Sequence, residues 1–264
     1  LIPRKSDFEQ FNWCPKSFEI LVIRGVEPSR LPYVMQVGDS FHHAHAEFYG
    51  KLNFKHLDQL GNNEIAIRKY FRGLLLWTKD ERIRLLCDNF ANMETKRWIA
   101  AVKEKGIQAP KYFKPVLSEV ALLSLKLRRR GHPDRVDLTF DDEYAVGEVK
   151  TGHVPKDLSS YRRECVWYLE ILEDVCLIGM DGTYDNLEPF RLPKPPKYLF
   201  VYFPLDNTVI WEVPNPWTRK ALKRREKKFW HHVRNDIYPR LANPFCRDCL
   251  VVDTCVDEWG GEYT

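Results

Sequence analysis

The stretch Gly131–Gly152, GHPDRVDLTFDDEYAVGEVKTG, decides how this chain is read. It sets Asp134 behind a glycine turn and runs DRVDLTF and YAVGEVKT as two short strands separated by the turn signal DDE. Carboxylates and lysines are poor strand residues and are seldom buried unless paired or bound. Residues two apart on a strand face the same side, so Glu148 and Lys150 project together, while Val149 turns into the core and offers its carbonyl. The hairpin brings Asp134 alongside them. Two converging carboxylates suit a hard cation, Mg²⁺ or Mn²⁺, which takes oxygen ligands and bears the charge that develops when a phosphodiester is hydrolysed. On this reading Asp134 and Glu148 hold the metal, and Lys150 orients or polarises the attacking water and offsets phosphate charge.

The rest of the chain supplies a frame for that hairpin. Residues 6–22 read as a short helix, a Cys-Pro step and a further helical turn. Gly38 precedes a helix with Phe41, Phe48 and Leu52 at near-helical spacing, and the pattern from about Asn63 to Lys105 stays helical through Ile67, Tyr70, Leu74, Leu85 and Phe90. SEVALLSLKLRR then reads as a strand, completing an antiparallel meander with the two strands of the hairpin. Lys156–Asp174 is the next helix, KYLFVYFPL and NTVIWEVP are two more strands, and a basic helix spans about Trp217 to Tyr238. The expected fold is α/β: one domain over 1–264, a central mixed β-sheet flanked by helices, and a helical insertion at about 54–110.

Composition adds exclusions more than identities. Lys and Arg number 41 against 37 acidic residues, and the net charge of +4 is too small to name a partner. Basic runs at Leu125–His132 and Thr218–Lys228 each fit either a phosphate-following surface or a solvated face. No apolar run reaches the roughly 18 residues that span a bilayer, and Leu1–Gln10 lacks the apolar centre of a secretion signal, so a cytoplasmic protein without membrane contacts is expected.

Seven cysteines without a secretion signal argue against a disulfide framework. Cys87, Cys165 and Cys176 sit in apolar segments as small hydrophobes. The other four differ: Cys246, Cys249 and Cys255 form a C-x2-C-x5-C array, and Cys14 lies near the opposite end. Four thiolates suit a structural zinc or a [4Fe-4S] cluster, and either would join the two chain ends.

The order Glu119, G-x-x-D ending at Asp134, E-x-K at Glu148 and Lys150, then a helix, resembles the PD-(D/E)XK nuclease superfamily with its restriction-endonuclease-like core. More closely, the chain resembles RecB-like nucleases, which carry a G-x-x-x-H motif upstream; here that is Gly38–His42, and the resemblance implies that His42 is a metal ligand, with His43 and His45 as neighbours. The family's Gln-x-x-x-Tyr helix is matched by Glu164 and Tyr168, with Glu in place of Gln. Catalytic roles implied by the resemblance fall on Asp134, Glu148, Lys150, Glu164 and Tyr168, and metal binding on His42, Asp134, Glu148 and the Val149 carbonyl. A lone early cysteine with a late triplet is the arrangement of iron–sulfur members, the AddB-like and CRISPR-associated RecB-type exonucleases. That implies a 4Fe-4S cluster on Cys14, Cys246, Cys249 and Cys255, in a subdomain built from the Cys14 region and 241–264. The activity implied is Mg²⁺- or Mn²⁺-dependent cleavage of single-stranded DNA ends, often 5′ to 3′, in CRISPR adaptation, recombination or repair, with proteins of those pathways as partners and the oligomeric state open. Arg128, Arg129, Arg130 and Trp167 are expected to line the strand's channel. Competing expectations are a non-catalytic DNA-binding or assembly subunit that retains the fold, and an endonuclease with a structural zinc.

Overall fold

A computed structural model of the chain describes residues 1–28, 32–75, 78–241, 246 and 249–259. Its helices are α1 (Lys5–Trp13), α2 (Pro15–Phe18), α3 (Tyr33–Gly50), α4 (Phe54–Leu60), α5 (Glu64–Leu74), α6 (Glu81–Lys105), α7 (Ala109–Phe113), α8 (Ser159–Leu172), α9 (Pro216–Asn235) and α10 (Val252–Trp259). Its strands are β1 (Leu117–Ser118), β2 (Ala121–Ser124), β3 (Arg129–Gly131), β4 (Arg135–Leu138), β5 (Tyr144–Val149), β6 (Cys176–Gly179), β7 (Glu188–Phe190), β8 (Tyr198–Phe203) and β9 (Thr208–Glu212).

The helix ends follow from local chemistry. Asn53, Asn63, Asp80 and Asn215 each accept a backbone N–H at the start of α4, α5, α6 and α9, which satisfies donors that have no partner within the helix. Gly106 closes α6 at a positive φ of 53°.

Five strands form a mixed sheet in the order β1-β4-β5-β8-β9, antiparallel except for the central parallel pair β5 and β8. Four others form an antiparallel sheet, β3-β2-β6-β7. The two-residue period of β5 divides the core. Val146 packs with α8 residues Val166 and Leu169 and with Leu199 and Val201 of β8. Val149 faces the other way and joins Phe41 and Phe48 of α3, Phe90 of α6 and Tyr202 of β8. The mixed sheet therefore lies between α8 and the helical layer of α3 and α6, and both layers are apolar enough to seal it.

One close approach fixes this packing. A Cβ on Gly147 of β5 would fall 1.9 Å from Cζ of Phe200 on β8, so only glycine admits that ring.

Several expectations need correction. Gly38 lies inside α3, which begins at Tyr33, and does not precede it. The helical stretch at 63–105 comprises two helices, α5 ending at Leu74 and α6 starting at Glu81, and Leu85, read as an apolar position of that stretch, is 48% exposed. The meander survives only as β1-β4-β5. Glu119 has φ 52°, the chain bends there, and β2 leaves for the second sheet. The sequence reading had no place for β6 and β7, which are four and three residues long. Helices α4 to α7 occupy the stretch read as a helical insertion. Part of the cysteine-bearing end read as an iron–sulfur subdomain, at 242–245, 247–248 and 260–264, lies outside the described residues.

Candidate metal centre

The end of β5 collects charge from five separate segments. Asp134 lies just before β4, and its Oδ2 accepts the Val149 N–H, which locks the carboxylate against β5. Its Oδ1 lies 3.4 Å from Nδ1 of His42 on α3. Glu119, placed by the bend between β1 and β2, brings Oε1 to 3.3 Å from the same nitrogen. One ligand atom from each of His42, Glu119 and Asp134 lies within 4.8 Å of the other two. Of the neighbouring histidines, His43 faces out and pairs with Glu47 at 3.1 Å, whereas His45 is fully buried against Phe41, Tyr49 and Phe90, with Nδ1 3.6 Å from Glu119.

A second group adjoins the first. Lys150 Nζ sits 2.6 Å from Glu148 Oε1 and 2.9 Å from Glu164 Oε2 on α8. Glu164 also takes Lys5 of α1, at 2.5 Å. Glu148 and Lys150 share the α8 face of β5, as the strand period demands. Tyr168, one turn along α8 from Glu164, is buried against Gly131, where a Cβ would meet its ring carbon at 2.4 Å. Val149 keeps its side chain in the core and commits its N–H to Asp134.

The electrostatics separate these groups. Burial opposes charge on His42, but Asp134 and Glu119 outweigh it and hold the imidazole proton up to about 9. Burial likewise opposes ionisation of Glu119, yet its hydrogen bonds with His42 and His45 bring it down to about 2. Glu148 is pushed well up by burial and by the carboxylates of Asp134 and Glu164. Glu164 goes the other way, because Lys150 and Lys5 overcome its burial and take it to about 2. Burial works against the Lys150 ammonium, but Glu148 and Glu164 hold its proton well above the ordinary lysine value.

The residues fit a hard divalent cation on two observations. The buried Glu148 Oε2 has no hydrogen-bond partner, and the imidazolium of His42 occupies the space between two carboxylates where a positive charge is favoured. The donor set is one imidazole nitrogen with carboxylate oxygens, suited to Mg²⁺ or Mn²⁺.

The expected strand channel needs correction. Trp167 is 1% exposed, its indole N–H donates to the Arg130 carbonyl, and it cannot stack a base. Arg129 is buried in ion pairs with Glu170 and Glu226, both at 2.6 Å, and stands over the Trp167 ring. Arg130 stands over Tyr184 and Arg128 over Trp230. Sequence reasoning gave Glu119 no part in the metal cluster and missed Lys5 altogether.

The cysteines form a separate place. Cys14, Cys246, Cys249 and Cys255 line one small pocket with Ser17 and Val252. Among the described residues, no three of their sulfurs lie within 4.8 Å of one another.

The fold and the site define a class: a mixed α/β core that gathers hard-cation ligands beside a lysine at the end of its central strands. The family model of the PD-(D/E)XK nuclease superfamily matches residues 5–256, and the chain belongs to that superfamily. Membership implies a nuclease that uses a divalent metal to cleave phosphodiesters and binds nucleic acid as substrate. No curated protein sequence matches the chain. Among the described residues no helix is long and apolar enough to cross a membrane.

Proposed function

We propose that the chain is a Mg²⁺- or Mn²⁺-dependent deoxyribonuclease of the RecB-like kind that degrades single-stranded DNA from its ends, in recombination, repair or CRISPR adaptation. The observation that carries the proposal is the meeting of His42, Glu119 and Asp134 within 4.8 Å, beside the Glu148–Lys150–Glu164 chain of ion pairs. His42, Glu119, Asp134 and Glu148 would hold the cation. When bound, it supplies a Lewis acid for the phosphoryl oxygen and an acidified water.

The chain's own groups do the remaining work. Lys150 carries its proton and donates it as a hydrogen bond toward a phosphate oxygen or the attacking water, rather than serving as a base. Glu164 and Lys5 hold that ammonium in place through the 2.9 Å and 2.5 Å contacts. Tyr168 fills the space behind Gly131 and fixes where α8 sits against the hairpin. Glutamate at 164, where the RecB-like pattern has glutamine, is accommodated by the second cation from Lys5.

Labelled single-stranded DNA incubated with Mn²⁺ tests the reading. Cleavage of linear but not circular strands is expected, with loss of at least about a hundredfold in rate in Glu148→Ala and Lys150→Ala. Binding without cleavage in the unaltered protein would instead establish a non-catalytic subunit.

The proposal extends to a 4Fe-4S cluster held by Cys14, Cys246, Cys249 and Cys255, supported by their common pocket. Four cysteine thiolates would hold either a structural zinc or a four-iron cluster, and the early lone cysteine with a late triplet favours the cluster. Iron content and visible absorbance should disappear together in Cys246→Ala; a colourless protein that contains zinc would overturn this part alone.

A further inference from the structure

The outer face of α9 carries charge that the proposed metal centre does not use. Lys220, Lys223, Arg224, Lys227 and Lys228 are all exposed there, and none makes an ion pair among the described residues. The one acid of the helix, Glu226, turns inward to Arg129 at 2.6 Å. Trp217 stands at the start of the same face, 69% exposed, with the Lys220 ammonium 4.6 Å from its ring. Trp217, Lys220, Lys223, Arg224 and Lys227 line one shallow depression.

We propose that this face of α9 is a track for single-stranded nucleic acid, with phosphates held by Lys220, Lys223, Arg224 and Lys227 and an unpaired base stacked on Trp217. Like charges three and four residues apart repel and destabilise a helix, and a polyanion laid along them removes that repulsion. An indole left open to water among cations offers a face to any base, which a duplex keeps inside its stack. From Lys220 to Lys227 the helix rises about 10 Å, enough to follow more than one phosphate.

The helix also packs against α8, which carries Glu164. Arg219 pairs with Glu170 and Glu173 near the end of α8, and Arg225 acts on Arg163, the neighbour of Glu164. The two helices thus run antiparallel. The inference deepens the nuclease reading, on which it rests for the class of substrate.

The test measures binding without cleavage. Fluorescein-labelled oligo(dT) is titrated with the full chain in EDTA at several salt concentrations and followed by anisotropy. Each phosphate contact contributes about 0.7 to the slope of log affinity against log salt. The double variant Lys220→Ala with Lys227→Ala should lower that slope by about 1.4 and weaken binding about tenfold or more at moderate salt. Trp217→Ala should weaken binding about fivefold or more and leave the slope unchanged. Alanine favours helix, so circular dichroism should show α9 intact. Lys126→Ala, which removes only a surface partner of Asp174, should bind as the unaltered protein does.

An unchanged slope and affinity in the double variant would overturn the proposal. So would α9-dependent binding to phosphatidylserine vesicles with no binding to the oligonucleotide. A protein that binds through α9 but never cuts refutes the nuclease reading alone, and one that cuts while the α9 variants bind normally refutes the track alone.

Discussion

Glu164→Gln tests whether the carboxylate at the metal centre is held ionised by two lysines. Glu164 ionises at about 2 in the folded chain against an ordinary 4.5, because Lys150 and Lys5 outweigh its burial. A depressed carboxylate contributes stability that is fully present above its unfolded value, near 4.5, and is lost as pH falls toward 2. The 2.5-unit difference corresponds to on the order of 3 kcal/mol at pH 7. Glutamine keeps the shape and one acceptor, so that figure is a ceiling on the loss in the variant. The pH dependence is the sharper readout, since glutamine does not titrate. Protonation of the unfolded chain removes about 0.8 kcal/mol of the wild-type advantage by pH 4 and about 2 kcal/mol by pH 3. Urea unfolding in EDTA at pH 7, 4 and 3 gives the gap directly. A gap that stays constant from pH 7 to pH 3, or a variant as stable as the wild type at pH 7, would refute the ion-pair reasoning.

Three further outcomes follow from the same geometry. Metal binding requires His42 to give up a proton held to about 9 and Glu148 to give up one that burial retains, so the apparent Mg²⁺ affinity should climb about tenfold or more per pH unit between pH 7 and 8.5, with proton release seen by calorimetry in buffers of different ionisation heat; a flat profile excludes His42 as a ligand. Glu119→Gln should weaken Mn²⁺ binding by about tenfold or more in equilibrium titrations and let the His42 imidazole deprotonate at lower pH by NMR, and unchanged values of both would remove Glu119 from the centre. Gly147→Ala would press a methyl into the Phe200 ring and should cost about 1–3 kcal/mol in urea unfolding; wild-type stability would show that the sheet yields there.

The hairpin was legible because its information is local. A two-residue period puts Glu148 and Lys150 on one face whatever the rest of the chain does, and the DDE turn returns Asp134 to their side. The longer helices were legible for the same reason, apart from their ends, whereas the short α7 and α10 were not. What escaped depends on the path of the chain in space. Glu119 reaches His42 only because the backbone bends at φ 52° between two strands that belong to different sheets, and no spacing rule encodes that turn. Lys5 reaches Glu164 across more than 150 residues of sequence. The second sheet was invisible because β6 and β7 are short and β7 contains Pro189, which a strand reading rejects. Arg129 and Trp167 were misread as surface groups because a cation cluster looks alike in sequence whether its partners are water or the buried Glu170 and Glu226.

The charge arrangement explains why the centre can exist before any metal arrives. Four carboxylates, Glu119, Asp134, Glu148 and Glu164, meet only two permanent cations, Lys5 and Lys150, a balance that burial would make costly if all four were ionised. Protons close the difference: burial drives Glu148 and Asp134 toward their neutral forms, and the neighbouring carboxylates drive His42 toward its charged form. His42, Glu119, Asp134 and Glu148 would hold a divalent cation, whose positive charge would favour the neutral imidazole and the ionised Glu148, so the residues whose protons balance the charge are also those that would serve as ligands. Glu164 stands apart from this exchange because Lys5 and Lys150 already hold it ionised, which leaves the Lys150 ammonium charged in either state and available to a phosphate.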